Sequence, residues 1–212
     1  MNIPHKNSEK NTGVAHKKAI RNRSVFTAFF AALIAVSGFL ILPLPGGIPI
    51  VLKNLFVVLS GLILGNFYGS IAILIFLAAG IIGLPVFVIP GGPGVFLTPL
   101  GGYLIGYFVG SLAAGLISGL PETNEKKIKL GHCIRLGIAA TAGFSLILIC
   151  GAVYLMVLNS LSLKAALAAG IIPFLPGDLI KLAISIPLAL KLRPIAARYI
   201  NPHTEKTSVP HA

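Results

Sequence analysis

Apolar residues run along most of this chain in long blocks, at 25–42, 50–64, 67–84, 100–120, 134–158 and 165–192. Polar residues collect at the two ends and in a few of the gaps. Blocks this long show neither the two-residue alternation of a half-buried strand nor the one-sided stripe of a soluble helix. They predict helices whose surroundings are hydrocarbon. The pattern predicts an all-α polytopic membrane protein with six transmembrane helices, an even number that puts both termini on one side. Residues 1–24 then form a polar, basic tail, 25–192 the transmembrane domain, and 193–212 a C-terminal tail.

Composition agrees. The 212 residues are 56% hydrophobic and only 10% charged, against about a quarter charged in a soluble domain, and mean hydropathy is +0.93. A net charge of +12 raises nucleic acid as a partner, but, Lys53, Lys164 and Lys181 apart, the other 14 bases gather at the ends of the apolar blocks or outside them. They lie in the N-terminal tail (Lys6, Lys10, Lys17, Lys18, Arg21, Arg23), around the loop 121–132 (Lys126, Lys127, Lys129, Arg135) and near the C-terminus (Lys191, Arg193, Arg198, Lys206). That distribution is one of membrane topology, and it makes both termini and this loop cytoplasmic in a cell-membrane protein. The first block ends in "PLPGG" with no small-x-small cleavage pattern, so it reads as a retained span. Cys133 and Cys150 fall in one predicted helix, about 25 Å apart at 1.5 Å per residue, and cannot bridge. Four of the five histidines lie in the tails, and no spacing suggests a metal or other cofactor.

Small residues recur at four-residue spacing: Gly61 and Gly65; Gly102, Gly106 and Gly110; and the overlapping pairs Ala28/Ala32 and Ala31/Ala35. Such spacing lets helices approach closely in lipid, within the chain or against a partner. Residues 85–99, "PVFVIPGGPGVFLTP", form an uncharged loop with four prolines and three glycines but also Phe87, Val88, Ile89, Val95, Phe96 and Leu97. Apolar residues in so long a loop need cover, which predicts an external lid over a cavity or a re-entrant plug.

The candidate chemistry sits in "FLPGDLIKLA". Asp178 is the single aspartate of the chain, and Lys181 follows it at i+3, on the same helix face. Pro173, Pro176 and Gly177 predict a break in the sixth helix and a fresh start at Asp178. The pair either neutralises itself, Asp178 capping the new helix, or it meets a ligand. A charge within a span is costly and calls for a reason. Lys53 is a further base at the membrane edge, with Asn54 beside it; it reads either as a ligand contact or as a lysine snorkelling to the outer headgroups. The three charges sum to +1, which suits a monoanion. No G-x-x-x-x-G-K-[ST] motif is present, so ATP-driven steps belong to a partner. One carboxylate in the spans cannot make an aspartyl protease, and a serine–histidine pair is lacking, so an enzyme is disfavoured.

The segments "GIPIVLKNLFVVLSGLILG", "GLPVF" with its glycine-rich loop, "TPLGGYLIGY" and "PFLPGDLIK", in this order and spacing, resemble the BioY family of biotin-binding S-components of energy-coupling factor (ECF) transporters, over about residues 24–192. The resemblance implies a six-helix S-component bundle that captures biotin near the outer face and works with a transmembrane T-component and two cytoplasmic ATPase subunits. It implies ligand contacts at Asp178 and Lys181, Asp178 accepting from ureido N–H groups and Lys181 pairing with the valerate carboxylate. It implies coupling to the T-component through Ala28, Ala31, Ala32 and Ala35. Lys53, Asn54, Phe87, Phe96 and Tyr103 complete the expected ligand site, the aromatics by their place at the lid. The chain departs from the family where "PIVLKN" stands in place of a common P-x-T-L-Q pattern, with Lys53 at the Gln position and Val51 at the Thr position. That keeps open an S-component for another small vitamin. From a different class, a helical membrane scaffold or pore former using its glycine faces is the rival.

Overall fold

The structure is a computed structural model that describes residues 5–43, 49–65, 67–87, 91–122 and 130–200, with backbone alone for 5–18, 41–43, 49 and 50. The elements are α1 (His5–Ser37), β1 (Ile41–Pro43), β2 (Pro49–Val51), α2 (Lys53–Leu64), α3 (Tyr68–Ile81), a 3₁₀ turn (Pro93–Leu97), α4 (Leu100–Ser118), α5 (Leu130–Leu158), α6 (Leu163–Gly170) and α7 (Leu175–Ile200). The fold is helical, as the hydrophobic blocks predict. It adds one small antiparallel ribbon, with Ile41 opposite Val51, between the first two helices.

By length and apolarity, residues 19–37 of α1, all of α4 and all of α5 can each cross a membrane. The pair α6 and α7, bent by 54° at their break, can do so together. Helices α2 and α3 have 12 and 14 residues, roughly 18 and 21 Å of helix against about 30 Å of hydrocarbon. The described helices therefore contain three or four spans by this measure. Helix α1 already begins at His5 and α7 runs past Leu192 to Ile200, so helix extends into both stretches expected to be tails.

The bundle turns apolar side chains both ways. Ile34, Val57, Val58, Leu62, Ile73, Phe76 and Ile147 are enclosed, while Val25, Phe29, Leu74, Ile138 and Ile184 point outward. Outward apolar residues of this number are what hydrocarbon tolerates.

Glycines allow the central packing. A Cβ on Gly61 would collide with the Ser111 carbonyl oxygen, one on Gly102 with Tyr154 Cβ, and one on Gly110 would come within 2.6 Å of the Gly143 carbonyl oxygen. Gly65, at φ +63°, lies against Gly119. The glycine spacing thus serves contacts of α4 with α2 and α5 inside the chain. Across the α2–α4 seam Ser60 and Ser111 share a hydrogen bond of 3.1 Å. Gly61→Val should force α4 off α2 and lower the melting temperature in detergent by several degrees. An unchanged melting curve would show that the seam relaxes freely.

Two bases expected to be topological charges are structural instead. Arg193 is fully buried. Its guanidinium donates to Leu62 O at the end of α2 and to Ser118, Gly119 and Leu120 O at the end of α4, at 3.1, 3.3 and 3.1 Å. Helix C-termini leave carbonyls without intrahelical donors, and the fork of Arg fits several at once. Arg23 donates to Ile200 O (3.1 Å) at the end of α7 and to the Tyr68 hydroxyl (3.1 Å), lying over that ring.

Candidate functional site

Helix α6 stops at Gly170, and α7 begins at Leu175 after a short break, ahead of the start expected at Asp178. Proline is tolerated in a first turn because that N–H has no intrahelical acceptor, so Pro176 sits inside the new helix. Asp178 N donates to Phe174 O at 2.9 Å. The break turns the first turn of α7 inward: Gly177, Asp178 and Lys181 are buried, the last two at 5% exposure each.

Lys181 Nζ pairs with Asp178 Oδ1 and donates to Val51 O, at the end of β2, at 3.4 Å. The Asn54 amide lies beside the carboxylate. Asp178 Oδ2 is buried and takes no hydrogen bond of normal geometry from any described residue. On α4, Tyr103 donates its hydroxyl to Gly170 O at 2.7 Å, which fixes the end of α6. The Tyr103 ring packs edge-on to Phe174 at 5.8 Å and against Gly151, where a Cβ would collide with it. Tyr107, one turn further along and 8% exposed, also lies within electrostatic reach of Asp178, as Tyr103 does.

Of the residues expected from sequence, the fold therefore gathers Asp178, Lys181, Asn54 and Tyr103 from α7, α2 and α4. Tyr107 was missed, although the Y-x-x-x-Y spacing of "GYLIGY" puts it on the face of Tyr103. Phe87 is 5% exposed, edge-on to Phe76 at 5.4 Å and seated on Gly80. Phe96 is half-buried, its carbonyl accepting from the Tyr154 hydroxyl, and Val95 is 3% exposed. The 91–99 part of the loop is thus folded onto the bundle; Val88 and Ile89 lie outside the described residues, as do Lys126, Lys127, Lys129 and Lys206.

Of the two readings open for Lys53, ligand contact or snorkelling, burial removes the second. At 3% exposure it does not snorkel. Its ammonium donates to Val86 O at 3.2 Å and lies 4.9 Å from the centre of the Phe76 ring. The partner-coupling residues also divide: Ala28 and Ala32 are exposed on α1, whereas Ala31 is 5% exposed and Ala35 packs half-buried on the core, so these two face the bundle. A separate hollow of about 180 Å³ between α5 and α6, lined by Ile149, Val153, Met156 and Leu167 among others, is apolar and holds none of this chemistry.

The arrangement can accept hydrogen bonds from a neutral donor at Asp178 and hold an anion at Lys181, with Tyr103 and Tyr107 within electrostatic reach of Asp178. The model of the BioY family matches residues 9–198. Among curated relatives, a biotin transporter BioY of Thermotoga maritima is 35% identical over 165 residues, 77% of this chain and 91% of that protein. Those of Rhodobacter capsulatus and Lactococcus lactis are 36% and 31% identical, covering 74% and 79% of this chain and 85% and 88% of theirs. A solved structure, the S-component for biotin from an ECF-type ABC transporter, superposes with a TM-score of 0.64 at 28% identity, covering 91% of this chain and 95% of its own. With a family match across nearly the whole chain, and relatives this similar over most of their length, the chain belongs to the BioY family.

Proposed function

We propose that this protein is the substrate-capturing (S) subunit of an ECF-type biotin importer. The observation that carries the reading is Asp178 Oδ2, a buried carboxylate oxygen with no hydrogen bond of normal geometry from the described residues. Buried acceptors are normally satisfied, and one that is not calls for an explanation. Biotin supplies the missing donors as ureido N–H groups, and its valerate carboxylate is the anion that Lys181 can hold. Both contacts are charge-assisted and strengthened by exclusion of water. Asn54, Tyr103 and Tyr107 complete the walls, with Phe87 and Phe96 in the adjoining core. The described parts of the 85–99 loop, 85–87 and 91–99, serve as the outer lid.

The relatives named as biotin transporters, and the solved S-component for biotin, support this ligand. The same likeness supports the six-span layout, with short α2 shielded by its neighbours, and a T-component with two ATPase subunits as partners. The chain itself captures solute, and ATP hydrolysis belongs to those subunits. The exposed Ala28 and Ala32 are the part of α1 open to the T-component. Bases toward both ends support cytoplasmic termini and a cell-membrane location.

Calorimetric titration of the purified protein in detergent with biotin tests the reading. Saturable one-to-one binding is expected. Absence of heat at micromolar biotin, with a folded protein, would sink it.

A further inference from the structure

We infer that Lys53 is a positioning residue of the site: a buried ammonium that fastens the start of α2 to three neighbouring elements and thereby holds the two groups of that segment that reach α7. The inference rests on the biotin-site reading above and adds to it a residue that acts without touching ligand. Lys53 is the first residue of α2. Immediately after it, Asn54 lies beside the Asp178 carboxylate. Two residues before it, the Val51 carbonyl accepts from Lys181. Successive helix residues diverge by about 100°, and Lys53 accordingly turns to another side. There it meets the Val86 carbonyl, the face of Phe76 on α3, and Gly38 just beyond the end of α1.

That seat is built for a long cationic side chain. A Cβ on Gly38 would come within 2.5 Å of both Lys53 Cε and Nζ, so a larger residue there would make the end of the lysine shift. The Phe76 ring that receives the ammonium is itself braced by Phe87, whose ring fills the space over Gly80. A hydrogen bond from a charged donor and a cation–π contact are both stronger when water is excluded. The ammonium therefore joins the residue before Phe87 to the helix start that carries Asn54. A ligand contact made through Asn54 and through Lys181 inherits its position from that join.

A carboxylate contact and a positioning role separate with two ligands. Biotin and biotinamide, whose side chain ends in a neutral amide, are titrated against wild type, Lys53→Gln, Lys53→Met, Gly38→Ala and the double variant Gly38→Ala/Lys53→Met. Positioning predicts that Lys53→Met weakens both ligands by the same factor, about tenfold. Lys53→Gln, which keeps a donor for Val86 O, should lose roughly threefold for each, from the magnitudes of such contacts. Gly38→Ala should shift the end of Lys53 and cost each ligand less than Lys53→Met does, and it should add little on top of Lys53→Met, as residues sharing one contact do. Lys181→Met, in contrast, should cost biotin more than biotinamide. A Lys53→Met loss confined to biotin would place Lys53 on the carboxylate and overturn the inference; unchanged affinity for both would overturn it too. Hydrogen exchange of amides 51–55, 82–84, 86 and 87 decides the matter without ligand: faster exchange in still-folded Lys53→Met is expected, and unchanged exchange refutes the join. A wild type that binds neither ligand would refute the proposed function, while the exchange result would still judge Lys53.

Discussion

Asp178→Asn is expected to weaken biotin binding about a hundredfold or more. The carboxylate is the group that can accept from ureido donors within a buried site, and hydrogen bonds to a charged partner are worth about 1.5–3 kcal/mol each. With about 1.4 kcal/mol per tenfold, two such bonds account for the loss. An asparagine offers one acceptor oxygen and turns an N–H₂ toward either Lys181 or the ligand, where it repels a donor. The variant also strips Lys181 of its counter-charge at 5% exposure, and breaking a buried pair from one side costs about 3–5 kcal/mol in soluble proteins. A fall in melting temperature should accompany the loss of binding. The double variant Asp178→Asn/Lys181→Met separates the two effects: stability should largely return, because no unpaired charge remains, while biotin binding should not. Wild-type affinity in Asp178→Asn, measured by calorimetry, would remove Asp178 from the site even though the family would stand.

Arg193→Met is expected to have the largest effect on stability of any substitution in the chain. Methionine keeps much of the length and none of the donors. The carbonyls of Leu62, Ser118, Gly119 and Leu120 lose the guanidinium that satisfies them together, and a buried acceptor left bare costs about 1–3 kcal/mol. The yield of monodisperse protein should collapse, or the melting temperature should fall by about ten degrees or more. Arg193→Lys should recover only part of that loss, since a point charge cannot span the ends of α2 and α4 as a planar fork does. Arg193 lies about 22 Å along α7 from Asp178 at 1.5 Å per residue, so any folded fraction should bind biotin within about threefold of wild type. A melting curve unchanged in Arg193→Met would show that the two helix ends are held by other contacts.

Both predictions turn on charged residues whose partners decide their role, and local sequence is a poor guide to partners. In the chain, Arg193 is one more base beyond an apolar block, and Lys53 is a base at the edge of another. Their surroundings are opposite to that expectation, at 0% and 3% exposure, because each finds carbonyls or a ring supplied by helices remote in sequence. Arg193 reaches partners more than seventy positions away, and Val86 lies 33 positions from Lys53. No local pattern encodes such partners. The alanine pairs behave likewise: both fit the same four-residue rule, and only the packing of α1 turns Ala31 inward and leaves Ala28 and Ala32 exposed.

What sequence alone determined is what depends on local physics. Long apolar blocks can be stable only as helices in hydrocarbon, since every backbone group must then be satisfied within its own segment. The proline-rich stretch 173–177 predicted a break in the last block, and one falls between α6 and α7 with Pro176 and Gly177 already inside α7; an aspartate with a lysine at i+3 had to share a face. Tertiary structure decided which of those faces meet. The bend brings Asp178 beside Asn54 and within electrostatic reach of the tyrosines of α4, and its Oδ2 takes no hydrogen bond of normal geometry from the described residues. Long-range packing also decided that Lys53 is enclosed rather than lipid-facing, for a buried charge is placed by whichever remote carbonyls and rings can stabilise it.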